Sequence, residues 1–101
     1  MRNPEDCATM AEVRAEIDRI DAELVALLAG RAGYIDRAAA LKAASGLPAR
    51  IGWRVEEVVA NVRAEAAARG LAPELAEMVW RRLIDWSIAR EEQTLGKERD
   101  E

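Results

Sequence analysis

Two cations, Arg31 and Lys42, interrupt a stripe of apolar residues in the N-terminal half of the sequence. Lys42 follows Arg31 by eleven positions. Eleven residues of α-helix make three turns plus about 20°, so both side chains leave one face. Because an unpaired buried cation is costly, that face must meet carboxylates, either from the protein or from a ligand. In the simpler interpretation both cations reach solvent or pair with Asp or Glu elsewhere.

A second polar pair, Ser87 and Glu91, stands beside Ile84 and Ile88 near the C-terminus. Residues four apart share one face of a helix, so the hydroxyl and the carboxyl project together from an apolar surface. The pattern alone favours a simpler interpretation, an ordinary surface glutamate in a solvated charge run, because Glu92 follows directly.

The composition excludes several other chemistries. The sequence has no His, which removes Ser-His-Asp and Cys-His nucleophilic systems and most zinc sites. Cys7 is the only thiol, so no intrachain disulfide is expected. Any reaction must therefore use Arg, Lys and carboxylates, and we expect neither a metal nor a cofactor.

The charge and hydropathy patterns bear on partners and location. Fifteen basic and nineteen acidic residues give a net charge of −4, which disfavours nucleic-acid binding. No apolar run approaches the roughly 18 residues of a membrane span, and the N-terminus lacks the apolar region of a signal peptide. The chain is therefore expected to be soluble and cytoplasmic, with no membrane partner.

An all-α fold must position these residues. The 101 residues fit a single domain over 1–101, with an N-terminal arm over 1–8 and a disordered tail over 96–101. A capping box at Thr9–Glu12 opens the first helix, and the apolar spacing continues to about residue 44. A second helix is predicted over 51–69, before Gly70, and a third from Pro73 to about residue 93.

The length of the first helix predicts a second copy of the chain. Two helices of about 19 residues cannot cover a rod of roughly 50 Å within one chain. The uncovered stripe is expected to pair in a two-fold homodimer. The alternative is a shorter first helix, kinked near Gly30–Gly33.

The ordered set of polar residues resembles the all-α (type II) chorismate mutase family over residues 4–95. Its members here are Arg14, Arg31, Lys42, Arg54, Ser87 and Glu91. The cations are spaced by 17, 11 and 12 residues, and residues 17–28 read I-D-R-I-D-A-E-L-V-A-L-L, which is also similar to the family. The segment Pro4-Glu5-Asp6-Cys7 is similar to the isochorismate pyruvate lyase branch.

The resemblance implies three helices in an intertwined homodimer, in which the partner chain supplies Arg14 to each active site. Arg14 and Arg31 would bind the two carboxylates of a small dicarboxylate substrate, with Arg54 nearby. Lys42 would bond the substrate's ether oxygen and a carboxylate, and Glu91 would lie on the other side of that oxygen.

The remaining site residues implied by the resemblance surround the substrate. Ser87 would touch a carboxylate directly or through water, and Ala38, Ile84 and Ile88 would form the apolar wall around the ring. Replacing Arg31 or Lys42 by alanine is expected to stabilise the fold slightly in the absence of substrate, because truncation removes the cost of burying a cation.

The implied reaction is the Claisen rearrangement of chorismate to prephenate, a step of aromatic amino acid biosynthesis in the shikimate pathway. A pericyclic reaction needs no nucleophile, metal or cofactor. Orientation of a flexible dianion and charge placed at the breaking C–O bond are sufficient.

One departure from the family leaves a second activity open. Many mutases carry acidic residues 9 and 13 positions after the lysine, where this sequence has Ile51 and Val55. The contact to the ring hydroxyl is then unassigned, and the alternative is an isochorismate pyruvate lyase of salicylate biosynthesis. A third alternative, of another class, is a non-catalytic helical dimerisation module.

The first prediction concerns assembly. We expect a homodimer whose dissociation unfolds the chain, because the first helix cannot bury its apolar stripe alone. Sedimentation at micromolar concentration should give twice the chain mass of 11.1 kDa. A folded monomer at that concentration would contradict the prediction.

Overall fold

The computed structural model describes residues 1–96 and contains helices without a strand in that part of the chain. A 3₁₀ helix over Pro4–Asp6 precedes α1 (Met10–Ser45), α2 (Gly52–Ala68) and α3 (Pro73–Leu95). The predicted all-α fold with a long first helix is confirmed. The alternative of a shorter first helix is wrong, because α1 is continuous over 36 residues. The predicted tail lies, apart from Gly96, outside the described residues.

The start of α1 follows the capping pattern with one difference. The amide of Glu12 donates to the Thr9 hydroxyl at 3.1 Å, as expected. The Glu12 carboxylate accepts from the amide of Ala8 at 2.6 Å, one residue before the position that a standard capping box uses. Both bonds occupy amides that the helix itself leaves unpaired.

Glycines in the left-handed conformation end α1 and α2 in the same way. Gly46 has φ +73° and Gly70 has φ +77°, a region that only glycine adopts cheaply. After α2, the amide of Leu71 donates to the carbonyl of Ala66 at 2.8 Å, which completes a Schellman motif. The prediction that Gly70 ends the second helix is therefore confirmed.

The chain forms two compact units, the first over Met1–Gly33 and the second beginning at Tyr34. In the first unit the N-terminal arm lies along α1, and Arg2 pairs with Glu16 at 3.0 Å. A small apolar cavity of about 250 Å³ lies between them, lined among others by Cys7 and Ile17.

The second unit holds the buried core. Its central cluster consists of Ala49, Val59, Ile84 and Ile88, with Val55, Val58 and Leu95 packed against it. The cluster therefore joins α2 and α3 to the loop that follows α1. Close packing between helices in this unit is mainly between α2 and α3.

Most of the apolar stripe of α1 is exposed in a single chain. Ile17, Leu24 and Leu27 are 50%, 50% and 71% exposed. A stripe of this size is the kind of surface that a protein partner covers. The homodimer stays a prediction, and the exposed stripe is its main structural support.

Within residues 1–96, no helix combines the length and the apolar character that a membrane span requires.

A carboxylate between two arginines also joins α2 to α3. Glu77 accepts from Arg81 and from Arg63, each at 2.8 Å. The hydrogen bond from Arg81, followed by that from Arg63, lowers the pKa of Glu77 despite the opposing effect of desolvation. The carboxylate stays charged in the folded state at pH values where it begins to protonate in the unfolded chain.

The second prediction concerns acid stability. A carboxyl whose pKa is lowered by folding stabilises the fold above its unfolded pKa, and this contribution is lost as the pH falls through the folded value. Unfolding free energy from urea titrations should therefore decrease with falling pH below about pH 4.5. Glu77→Gln should make that decrease shallower, whereas Glu57→Gln, in an exposed pair with Arg54 within α2, serves as the control. Equal slopes for all three proteins would contradict the assignment.

Candidate active site

An ion pair between the half-buried Lys42 and the buried Glu91 forms the centre of the candidate site. The Lys42 ammonium donates to Glu91 Oε1 at 2.6 Å and to the carbonyl of Ala49 at 2.7 Å. Glu91 is only 4% exposed, so the interpretation of this residue as an ordinary surface glutamate is wrong. Lys42 thus pairs with a protein carboxylate, a partner that both sequence interpretations of this cation allow.

Three consecutive elements bring the groups of this pair together. Lys42 lies in the last turn of α1, and its own carbonyl accepts the amide of Leu47 as the chain turns at Gly46. The loop then returns past Lys42, so that the carbonyl of Ala49 reaches the ammonium group. Glu91 comes from α3, 49 residues further along the chain. No sequence pattern signals the carbonyl, because any residue type carries one.

The apolar residues expected around a substrate lie next to this pair. Ile84 and Ile88 are buried on α3, and both belong to the core cluster with Ala49. Ile88 precedes Glu91 by three residues, so the carboxyl emerges from an apolar face of the helix. Ala38 is half-buried on α1. Two of the three predicted wall residues, Ile84 and Ile88, are therefore also part of the core.

Ser87 is buried, but its hydroxyl has a partner within α3. Its Oγ donates to the carbonyl of Leu83 at 2.7 Å, a bond to the preceding turn of the same helix. A hydroxyl has a single proton. To donate to a substrate carboxylate, Ser87 would therefore have to rotate away from Leu83.

The three predicted arginines are placed differently from Lys42. Arg14 is exposed and Arg31 half-buried, both in the first unit. Arg54 is exposed on α2, where its guanidinium donates to Glu57 at 2.8 Å. Within the second unit, the structure brings Lys42 and Glu91 into contact and leaves Arg54 in a surface pair.

The two apolar departures from the family pattern have a packing role. Val55 is half-buried against the core cluster, and Ile51 is half-buried at the start of α2. A carboxylate at residue 55 would have to be desolvated against Val59 and Ile84. Neither position therefore offers a polar side chain to a ligand.

A further ion pair, which no sequence pattern signals, lies beside Glu91 on α3. Arg90 on α3 donates from Nε and Nη2 to the two carboxylate oxygens of Asp36 on α1, at 2.8 and 3.1 Å. The pair joins residues 54 positions apart, and both residue types are common on solvated helix surfaces. Spacing along the sequence therefore gave no signal for it.

A cavity of about 650 Å³ opens beside Lys42 in the second unit. Its walls come from the loop Gly46–Arg50 and from the end of α3, including Glu92 and Leu95. Of the predicted site residues it contacts Lys42 alone. Within residues 1–96, no group of three His, Cys, Asp or Glu side chains is placed to hold a metal ion.

The protein is thus all-helical in its described part, and its candidate site is a lysine and a carboxyl that meet over an apolar surface. The family profile described as chorismate mutase type II matches residues 13–92. That match covers most of the chain, and the protein belongs to the chorismate mutase type II family.

Individual relatives agree with this assignment. The chain is 34% identical to an isochorismate pyruvate lyase of Pseudomonas aeruginosa over 92 residues, which are 90% of this chain and 89% of the relative. It is 34% identical to the T-protein of Enterobacter agglomerans and 33% identical to that of Haemophilus influenzae, over 84 residues in each case. Those 84 residues are 83% of this chain and 22% of each T-protein.

The third prediction concerns the stability of Lys42→Ala. Its direction is the opposite of the one expected from the sequence. Lys42 is paired in the unliganded chain, so Lys42→Ala leaves Glu91 buried without its cation and should destabilise the fold. Loss of one partner of a buried polar pair costs about 2 kcal/mol. Urea unfolding at pH 7 and fixed chain concentration measures the change.

The matched control removes both charges. In Lys42→Met/Glu91→Leu no buried charge is left unpaired, so this double variant should be more stable than Lys42→Ala. If Lys42→Ala is as stable as the wild type, the pair does not exist in solution.

Proposed function

We propose that this protein is a chorismate mutase, which converts chorismate to prephenate by a Claisen rearrangement. The single observation that carries the proposal is the contact between Lys42 and the buried Glu91, beside Ile84 and Ile88. A cation and a carboxyl that face each other over an apolar surface can bind opposite sides of an ether oxygen. Such a site suits a reaction that requires charge stabilisation and orientation and no nucleophile.

Each group has a physical role in this proposal. The C–O bond that breaks accumulates negative charge on oxygen, and the Lys42 ammonium stabilises that charge. Lys42 exchanges its bond to Glu91 for bonds to the ether oxygen and one carboxylate. Protonated Glu91 donates to the same oxygen from the other side. Ser87 reaches a carboxylate after rotating away from Leu83.

The remaining binding groups belong to a homodimer in this proposal. Arg14 and Arg31 bind the two substrate carboxylates, and Arg14 comes from the partner chain. Arg54 adds positive charge nearby when its exposed side chain leaves Glu57. The exposed apolar stripe of α1 supports the dimer, because burial of that stripe is the main free energy available for association. Ala38 completes the wall around the ring.

A second activity, the elimination of pyruvate from isochorismate, is favoured by two specific observations. The relative named isochorismate pyruvate lyase matches over nearly its whole length. In addition, the apolar Ile51 and Val55 offer no polar contact at the positions where many mutases bind the ring hydroxyl. Both reactions can use the same cation-rich, cofactor-free site.

Separate incubations with chorismate and with isochorismate test the two activities. Prephenate formation supports the mutase, and salicylate plus pyruvate supports the lyase. Turnover of neither substrate by the folded dimer would overturn both and favour a non-catalytic helical dimerisation module. Arg31→Ala and Lys42→Ala should each abolish turnover while the helix content stays close to that of the wild type.

The fourth prediction tests whether sites are shared between chains. Arg14→Ala and Lys42→Ala homodimers should both be inactive. After subunit exchange, a mixed dimer contains one site with both residues intact only if Arg14 acts across the interface. Mixing should then recover part of the wild-type activity. Proven exchange without recovery would place Arg14 in the site of its own chain.

The fifth prediction concerns the proton on Glu91. An ionised carboxylate can only accept hydrogen bonds, whereas its protonated form donates one. If the proposed reaction needs this donor, kcat/KM should decrease as the pH rises. Glu91→Gln keeps a donor at every pH, so it should flatten this fall and retain activity near neutral pH.

The control for this pH profile is Glu92→Gln, which changes the neighbouring carboxyl that does not contact Lys42. Its profile should match that of the wild type. If wild type and Glu91→Gln give superimposable profiles between about pH 5 and pH 8, the donor role of Glu91 is wrong.

A further inference from the structure

The ion pair between Asp36 and Arg90 has a geometry that defines orientation as well as distance. Arg90 uses two nitrogens and Asp36 both oxygens, with Nε–Oδ1 at 2.8 Å and Nη2–Oδ2 at 3.1 Å. Such two-point contacts of a planar guanidinium fix the relative orientation of the groups they join. The Arg90 guanidinium also lies 5.9 Å from the ring centre of Trp86, one turn earlier on α3.

The position of this pair relates it directly to the candidate site. Arg90 immediately precedes Glu91 on α3, and Asp36 precedes Lys42 by six residues on α1, about 9 Å along the helix axis. Ala39 lies midway between Asp36 and Lys42 and is the most buried residue of the core at 1% exposure. Arg90 and Glu91, which are neighbours on α3, therefore bind Asp36 and Lys42 of α1. The buried Ala39 lies between these two residues of α1.

The contact between α1 and α3 depends on such side-chain bonds more than the contact between α2 and α3 does. In the second unit α2 and α3 pack closely, whereas Ala39 is the one buried residue of α1. Lys42 has a flexible four-carbon stem and can follow Glu91 through small shifts of the helices. The Lys42–Glu91 contact alone would therefore not fix the distance between the two backbones.

The Asp36 carboxylate is suited to a permanent contact. The hydrogen bond from Arg90, supported by its charge, lowers the pKa of Asp36. Of the other charged groups, Arg50 and Glu92 line the cavity beside Lys42. The Asp36–Arg90 pair thus stays ionised at neutral pH.

We propose that Asp36 and Arg90 are positioning residues of the active site, which hold α3 in register with α1 so that the helix backbones carrying Lys42 and Glu91 keep the spacing the substrate requires. Neither residue touches the substrate. The inference rests on the proposed function, because it assigns the pair a role in turnover. The physical effect on Lys42 and Glu91, however, can be measured without a substrate.

The activity arm of the test compares two isosteric variants. Asp36→Asn removes the charge from the α1–α3 pair. Glu56→Gln does the same to a similarly exposed two-point pair between α2 and α3, in which Arg81 contacts Glu56 at 3.1 and 3.3 Å. Misplacement of reacting groups by about 1 Å can cost on the order of 100-fold in rate. We expect Asp36→Asn to lower kcat by roughly 10- to 100-fold and Glu56→Gln to leave it unchanged, with similar small decreases in Tm.

The second arm needs no turnover. The chain has two lysines, Lys42 and Lys97, so side-chain ammonium signals in proton–nitrogen NMR can be assigned with Lys42→Arg. The Lys42 signal should be protected from exchange with water by its bonds to Glu91 and Ala49. Asp36→Asn should broaden or remove this signal, whereas Glu56→Gln should leave it as in the wild type.

The last arm is rescue by reversal of the charges. Asp36→Lys and Arg90→Glu should each behave like Asp36→Asn, and the double variant should recover both the Lys42 signal and most of the turnover. Absence of turnover in the wild type together with these NMR changes would reject the proposed function and leave the positioning effect intact. An unchanged Lys42 signal and unchanged kcat in Asp36→Asn would overturn the inference.

Discussion

The buried contact between Lys42 and Glu91 is the interaction on which the rest of the site depends. Two opposite charges taken out of water are stabilising only when their geometry is good and their remaining hydrogen bonds are satisfied. Here the end of α1, the loop after it and α3 each supply one partner, since Ala49 accepts a second proton of the ammonium. The elements around the site are thus held together by the same group that we propose acts on the substrate.

This arrangement explains how an acidic protein can keep a cation ready for an anionic ligand. An unpaired lysine in an apolar site would be costly, and Glu91 removes that cost in the unliganded chain. In the proposed function, a dicarboxylate substrate brings its own negative charge and replaces Glu91 as the partner of Lys42. In the proposed mechanism, protonation of Glu91 both releases the lysine and creates the donor that the ether oxygen needs.

The exchange of partners requires that the helices keep their places while side-chain bonds change. Core packing of Val59 and Ile84 fixes α2 against α3, whereas much of the apolar surface of α1 is exposed to solvent in a single chain. The proposed homodimer would cover that surface along α1. The Asp36–Arg90 contact would act locally, next to the two groups whose separation matters most.

The sequence by itself determined the helices and the residue types of the site. The capping residue Thr9, glycines such as Gly70 and the apolar spacing of three and four predicted the observed helices within a few residues, because these signals act locally. It also identified Lys42 as a cation on an apolar face and, through the family resemblance, Glu91 as its opposite group. Only the tertiary structure decided that the two are bonded and that Glu91 is buried, because burial depends on which distant segments pack together. For the same reason the sequence did not predict the Asp36–Arg90 pair, since no local pattern shows that two surface charges 54 residues apart are in contact.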